Sequence, residues 1–398
     1  MDALVDALHA NGLRLIVDAS FNHCHPGFFA FADLLEWGPD SDYASWFVVE
    51  DWPPRVVWRP EAMAAAGFRD PDTYREYLRE FAATSGVEVV EADDEGPVIA
   101  PTYEAWYGVP SLPRIDLSDP GARAYFLEVA RHWVAEHSID GWRMDVARYV
   151  DFDFWPEFRR AVKEASPDAY LLAEIMGDAT VWLQGDTFDA TMNYTFRQVA
   201  LDFLATERID GATAADALVR MYAALPPAVA DVCQNLIGSH DTARFLHEAG
   251  EDADRLLLAT VLQMTLPGAP GIYYGDEVGM SGGEEPASRG AFPWHDEAAW
   301  DGRQLEAVRH LGRMRLDRPA LRTGRLSIVH AGGDLLVYTR EGDGERLLVV
   351  VDRRGGTSVE VALEASEPEV LFGEGTCVPV EGGVRVSAAD PGALIARL

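Results

Sequence analysis

Three short apolar runs in this chain each end in a carboxylate. DGWRMDVAR delivers Asp145, YLLAEI delivers Glu174 and NLIGSHDTAR delivers Asp241. A fourth run, LRLIVDASFNH, leads into Asp18, Asn22 and His23. Segments of helical pattern lie between the strand-like runs. A chain that alternates in this way buries its apolar surface as parallel βα units, so the expected fold class is α/β. Strands are predicted over residues 13–18, 139–146, 170–175, 187–192, 232–238 and 271–274, the first of them buried. In parallel barrels the chemistry gathers where strands end, which is where these acidic residues stand.

The stretches around the strands set the organisation. Residues 1–11 read as the end of a helix stopped by Gly12. Residues 24–118 lose the alternation and are rich in Trp, Pro, Asp and Gly. They include WPPRVVWRP and an acidic run from Asp93 to Glu95, and are predicted to form an inserted subdomain. Order returns at Asp119-Pro120, a capping residue followed by proline at the first helical position, with a helix to about His137. A last helix is expected near residues 303–315. Beyond about residue 320 short strands take over (LLVYTRE, a Gly-Asp-Gly turn at 342–344, ERLLVVVD, TSVEVAL, GGVRVSA), as in an antiparallel β-sandwich domain. The expected division is 1–23 and 119–318 for the parallel βα part, 24–118 for the insertion and 319–398 for the β domain.

Charge excludes several partners. With 66 acidic against 33 basic residues, a net charge of −33 and Lys163 as the sole lysine, the surface repels nucleic acid and anionic membranes. A genome that prefers arginine codons explains the missing lysine but not the net charge, so adaptation to concentrated salt is expected. The most apolar stretch, residues 256–274, is interrupted by Gln263, Pro267 and Pro270, and no membrane span is expected. The N-terminal residues carry no basic region or cleavage site. Cys24, Cys233 and Cys377 are odd in number and widely spaced, which fits a reducing cytoplasm. His23, Cys24 and His25 are adjacent and point apart, so they are not expected to bind metal.

Side-chain alternation suggests chemistry. Arg143 and Asp145 lie two apart on one strand and share a face, so Arg143 is expected to keep Asp145 ionised, as a nucleophile requires. Glu174 shares its face with Leu172 and Tyr170, an apolar setting that raises a carboxyl pKa and suits a proton donor. Two carboxylates with opposed environments are the equipment for cleaving a glycosidic bond. His240 and Asp241 add a donor and a further fixed negative charge.

DASFNH, DGWRMDVAR, AEI and GSHD together resemble the four signature regions of the alpha-amylase family of retaining (β/α)8 glycosidases. The segments WLQGDTFDATMNYTF, LPGAPGIYYGDEVGM and SRGAFPW look most like its cyclomaltodextrinase, neopullulanase and maltogenic amylase branch. The resemblance covers nearly the whole chain. It implies Asp145 as nucleophile, Glu174 as general acid/base and Asp241 as transition-state stabiliser. It implies sugar contacts from His23, Arg143 and His240 at the cleavage point, and from Arg289 and, more weakly, Glu285 further along, with Asp18 and Asn22 holding the loop. Cleavage of α-1,4 links in cyclodextrins, maltooligosaccharides, starch or pullulan would follow, with the catalytic carboxyl groups about 5–5.5 Å apart. No cofactor is implied; Asn22 is a candidate calcium ligand with nothing nearby to complete a site. Residues 13–18 match the third strand of the family barrel, so the expected fold is an incomplete (β/α)8 TIM-type barrel of strands 3 to 8. The branch's N-terminal domain, which helps form homodimers, is also missing. The rival expectation is an inactive fragment or a split-barrel glucan-binding partner. Met176-Gly177 stands where the branch has Trp-His, and VPSLPRID where it has an MPKLN-type segment.

Overall fold

A computed structural model describes residues 1–59, 71–92, 99–365, 367–389 and 391–398. The chain divides into two compact units: Met1–Glu174 with Asp186–Phe188, and Ile175–Gly185 with Asp189–Leu398.

The first unit begins with a helix, Asp2–Ala10, closed by Gly12 at φ 71°, a conformation open to glycine. Strand β1 (Ile16–Ala19) follows. The insertion then builds its own small sheet from β2 (Arg55–Trp58), β3 (Glu88–Glu91) and β4 (Ile99–Pro101), in the order β3-β2-β4. Trp58, Val56, Phe81 and Leu78 are buried there. The acidic run Asp93–Glu95 lies outside the described residues. Asp119 caps the helix Pro120–His137, accepting from the N–H groups of Gly121 and Ala122 at 2.8 and 2.9 Å. Strands β5 (Gly141–Met144) and β6 (Tyr170–Ala173) flank the helix Phe154–Ala165, and β1, β5 and β6 pair in parallel. Gly141 lets β5 approach β6, because a Cβ there would stand 2.2 Å from the Tyr170 carbonyl oxygen.

Two expectations need correction in this unit. Residues 13–18 do not form a buried strand: the strand starts at Ile16, with Ile16 40% and Leu13 55% exposed. Among the described residues β1 has a strand partner on one side alone, so its outer edge stays open. The strand predicted over 139–146 ends at Met144, because Val146 adopts a left-handed conformation (φ 43°, ψ 40°).

The second unit repeats the parallel pattern with β7 (Ala190–Asn193), β8 (Gln234–Leu236) and β9 (Ala269–Gly271). The strand expected at 271–274 therefore sits earlier in the chain. Pro270 lies within it, opposite Asn235, a place proline tolerates where no ladder hydrogen bond is asked of its nitrogen. The helix Gly302–Asp317 closes the series. Eight antiparallel strands follow: β10 (Arg325–Gly332), β11 (Leu335–Gly342), β12 (Glu345–Asp352), β13 (Ser358–Val361), β14 (Glu369–Gly373), β15 (Gly375–Val380), β16 (Gly383–Ala388) and β17 (Ala393–Arg397). They form a five-stranded sheet, β10-β11-β12-β17-β14, and a three-stranded one, β13-β16-β15. The Gly-Asp-Gly turn has both Asp343 and Gly344 at positive φ, as a tight hairpin requires. Val337, Leu348, Val350 and Leu394 face Val384 and Val386 between the sheets. Tyr338, Leu347 and Val349, on the other face of the larger sheet, join a core with Leu258, Leu262 and Leu311.

No helix among the described residues is long and apolar enough to cross a membrane.

Candidate active site

In the first unit, register brings charge together. Asp18 on β1 sits directly opposite Arg143 on β5, and Arg143 opposite Leu172 on β6. Asp145 and Glu174 each follow directly on a strand end, their N–H groups continuing the ladders to Ala19 and Met144 at 2.9 Å. Arg143, 7% exposed, is the hub. Its Nη1 donates to Asp18 Oδ1 at 2.8 Å and to Asp145 Oδ1 at 2.6 Å. Its Nη2 lies 2.6 Å from Glu174 Oε1 without hydrogen-bond geometry, so that contact is an ion pair held by charge alone. Glu174 Oε2 accepts a hydrogen bond from the Val146 N–H at 2.9 Å. The left-handed turn at Val146, uncommon for a β-branched residue, aims that N–H at the carboxylate.

Arg143 touches both carboxylates, so its charge alone does not distinguish them. Burial does: the Glu174 side chain is 7% exposed and that of Asp145 26%. Desolvation pushes the Glu174 carboxyl up to about 7, against the pull of Arg143 and the Val146 N–H, and neighbouring Asp145 adds to the rise.

His23 lies in the same unit. Its Nδ1 is 3.3 Å from both Ser20 Oγ and Asn22 Nδ2, and burial lowers its pKa while Asp145 opposes that. Asn22 is 2% exposed, and its Oδ1 has no hydrogen-bond partner among the described residues. It lines a cavity of about 230 Å³ with Glu104, Arg114, Asp116, Tyr149 and Asp151. Glu104 is taken up by Arg114 at 3.0 Å, and Asp116 accepts from the Ser118 N–H at 2.9 Å. No group of three or more His, Cys, Asp or Glu side chains placed to share a metal ion gathers among the described residues.

The second unit brings together His240, Asp241, Arg289 and Glu285. Asp241 Oδ2 is 3.1 Å from His240 Nε2. Its Oδ1 is 3.2 Å from Arg289 Nη2, which also meets Glu285 at 3.3 Å. Arg289 Nε donates to the His240 carbonyl oxygen at 3.1 Å.

Sequence reading passed over the pair that holds this cluster. Arg244 is fully buried; it donates to Ser288 O at 3.1 Å, Tyr274 O at 2.8 Å and Asp276 Oδ1 at 3.0 Å. Its guanidinium lies 4.4 Å from the Tyr273 ring centroid. The loop it fixes carries Arg289. Burial pushes the Asp276 carboxyl up, opposed by Arg244. The signal was an arginine three residues after Asp241, in SHDTAR, and an aspartate in YYGDE.

Residues 1–315 match the family described as "Alpha amylase, catalytic domain". A cyclomaltodextrinase from Geobacillus thermopakistaniensis is 35% identical over 89% of this chain and 53% of its own length. Neopullulanase 2 from Thermoactinomyces vulgaris is 36% identical over 88% of this chain and 53% of its own. This chain therefore spans about half the length of these relatives. Among solved structures, the Nostoc punctiforme debranching enzyme aligns with TM-score 0.83 at 30% identity, over all of this chain and 78% of its own. The chain belongs to the alpha-amylase family.

Proposed function

We propose that this protein is a retaining glycoside hydrolase, with transglycosylation as a second outcome, acting on α-1,4-glucosidic bonds of cyclodextrins and related α-glucans. The observation that carries the reading is the Arg143 hub: one guanidinium in contact with two strand-end carboxylates, of which the more buried, Glu174, keeps its proton to about 7. Two carboxyl groups beside one planar cation suit the short separation of a retaining enzyme rather than the wider inverting one.

In this reading an Asp145 oxygen attacks the anomeric carbon as the bond from that carbon to the leaving oxygen breaks. Glu174 gives its proton to that oxygen. The Glu174 carboxylate then takes a proton from water or from a sugar hydroxyl, whose oxygen displaces Asp145 from the anomeric carbon. Glu174 is again protonated and Asp145 again free. Arg143 limits the charge repulsion between the two acids. By the motif GSHD, Asp241 stabilises the oxocarbenium-like transition state with His240. Arg289 and Glu285 bind sugar further along, and His23 contacts it at the cleavage point. The relatives named as cyclomaltodextrinase and neopullulanase support the substrate class. The same reading assigns residues 1–23 and 119–318 to the catalytic barrel, 24–118 to the insertion and 319–398 to the β domain. It takes the net charge of −33 as fitting a salt-rich cytoplasm, and the branch's N-terminal domain, where present, as the means of forming a homodimer.

Release of reducing sugar from β-cyclodextrin and soluble starch, at low and multimolar salt, tests the proposal. Activity lost in Asp145→Asn, with product of retained anomeric configuration, is the expected result. Inverted product, or a fully active Asp145→Asn, would overturn it.

A further inference from the structure

The stretch MNYTF, which runs out of β7, has no part in the chemistry described above. Its first task is structural. Asn193 caps the helix Tyr194–Ala200 by accepting from the Phe196 N–H at 3.0 Å, and its Nδ2 donates to Asn235 Oδ1 on β8 at 3.0 Å. The start of the helix is thereby fixed to the strand that leads to Asp241. From that fixed start two side chains reach the turn that carries Asp241. The Tyr194 hydroxyl donates to Ser239 Oγ at 3.2 Å, two residues before Asp241. Arg197 Nη2 donates to the Ala243 carbonyl oxygen at 3.0 Å, two residues after it. Residues three apart on a helix share a face, so both can meet the same turn.

The turn does not hold itself firmly. Its internal hydrogen bonds are long: Asp241 N–H to Ser239 Oγ at 3.3 Å, Ser239 N–H to Thr242 Oγ1 at 3.2 Å and Thr242 N–H to the Ser239 carbonyl at 3.4 Å. Ahead of Asp241 the His240 carbonyl is held by Arg289, whose side chain is half exposed. Behind it stand the Arg197 bond and one from the Arg244 N–H to the Gly282 carbonyl at 2.9 Å. Arg197 is a costly residue for one hydrogen bond. Burial lowers its pKa, and its Nε is buried with no hydrogen-bond partner among the described residues. Glu248 and Asp276 act on it through space, without an ion-pair contact among the described residues. A desolvated guanidinium in that state lowers stability, where an apolar side chain of similar length would not. Packing gives no reason for an arginine here; the Ala243 carbonyl does.

We propose that Arg197 is a positioning residue for Asp241: by tying down the Ala243 carbonyl from a helix anchored on β8, it sets where the Asp241 carboxylate stands. It acts through Asp241 rather than on the sugar. A carboxylate held in place stabilises an oxocarbenium-like ring without having to reorganise as charge develops. One free to shift gives up part of that stabilisation, and displacements on the ångström scale lower rates steeply. The proposal rests on the reading of Asp241 given above and deepens it.

A double-mutant cycle on β-cyclodextrin hydrolysis tests it. Arg197→Met removes the guanidinium and keeps an apolar stem. It should lower kcat about tenfold or more, leave KM within about twofold, and leave Tm unchanged or raised. In an Asp241→Asn protein, whose kcat is already reduced, adding Arg197→Met should change kcat by less than about twofold, because no stabilising charge remains to be placed. Arg197→Lys, which keeps a charged donor, should recover part of the loss. Arg197→Gln carries the same cycle should the methionine protein fail to fold. An unchanged kcat in the Arg197 variant would overturn the proposal. So would an equal fold-loss with and without the Asp241 carboxylate, which would mark a general loosening of the fold. Asp241→Asn with its kcat intact would instead remove the reading of Asp241, and the proposal with it.

Discussion

Arg143 and Arg244 are both buried arginines that hold carboxylates, and they do opposite things. Arg143 is shared among Asp18, Asp145 and Glu174. Arg244 has one carboxylate, Asp276, and also donates to the carbonyl oxygens of Ser288 and Tyr274. Around Arg143 negative charge exceeds positive, and a proton settles on the most desolvated acid, Glu174. Around Arg244 one carboxylate meets one guanidinium; burial pushes the Asp276 carboxyl up to about 7 as well, but the guanidinium serves chiefly to fix backbone. An unbalanced cluster suits proton transfer, whereas a balanced one suits a scaffold. Exposure does not by itself mark the division: Asp145 and Asp18 are 26% and 58% exposed, but Glu174 at 7% is about as buried as Asp276 at 5%.

The sharpest way to break this comparison is to remove the acids of the first cluster. Asp145→Asn and Glu174→Gln should each lower kcat by about 10²–10⁴-fold or more while the protein stays folded. A comparable loss in Asp276→Asn, at unchanged Tm, would mean that the scaffold cluster does chemistry. Next in size is Arg244→Ala, which strands a buried carboxylate and should cost about 3–5 kcal/mol of stability. Arg143→Ala should cost less in chemical denaturation, since Asp18 and Asp145 reach solvent, yet more in kcat. Equal stability losses would erase the distinction.

The pH dependence sharpens the first cluster further. Activity should fall on the alkaline side with an apparent pKa near 7, as Glu174 loses its proton. The folded state holds that proton more tightly than an unfolded chain does. Its contribution to stability is therefore complete below the ordinary glutamate range and disappears as pH rises through about 7. Glu174→Gln should flatten that part of a Tm-against-pH curve; an unaltered curve would contradict the assignment. A smaller effect is expected at Val146→Asn. Asparagine tolerates the left-handed turn better, and stability measured by urea unfolding should rise by up to about 1 kcal/mol. Smallest is Arg289→Ala, whose half-exposed ion pairs should contribute under about 1 kcal/mol, leaving a rise in KM as its main signature.

How much of this was legible in the sequence follows the range of the interactions. Asp145 and Glu174 could be read as strand-end acids because strand patterns are local, and the antiparallel strands after residue 320 announced themselves by turns and alternation. The Arg143–Asp145 contact also followed from a two-residue spacing. The third and fourth members of that hub did not: Asp18 and Glu174 reach Arg143 through register with neighbouring strands, which a one-dimensional pattern leaves open. Leu13 and Ile16 looked like core by composition and are half exposed, since burial depends on what lies beside a strand.

By itself, then, the sequence determined the parallel βα character, the order of the acidic motifs and the excess of negative charge. All are properties of residues a few positions apart or of simple sums. The tertiary structure decided which carboxylate keeps its proton, which arginine is a hub and which a brace, and where Val146 accepts an unfavourable backbone angle. Those depend on desolvation and on contacts between residues distant in the chain, as between Asp18 and Arg143, and only the folded backbone brings such groups within reach of one another.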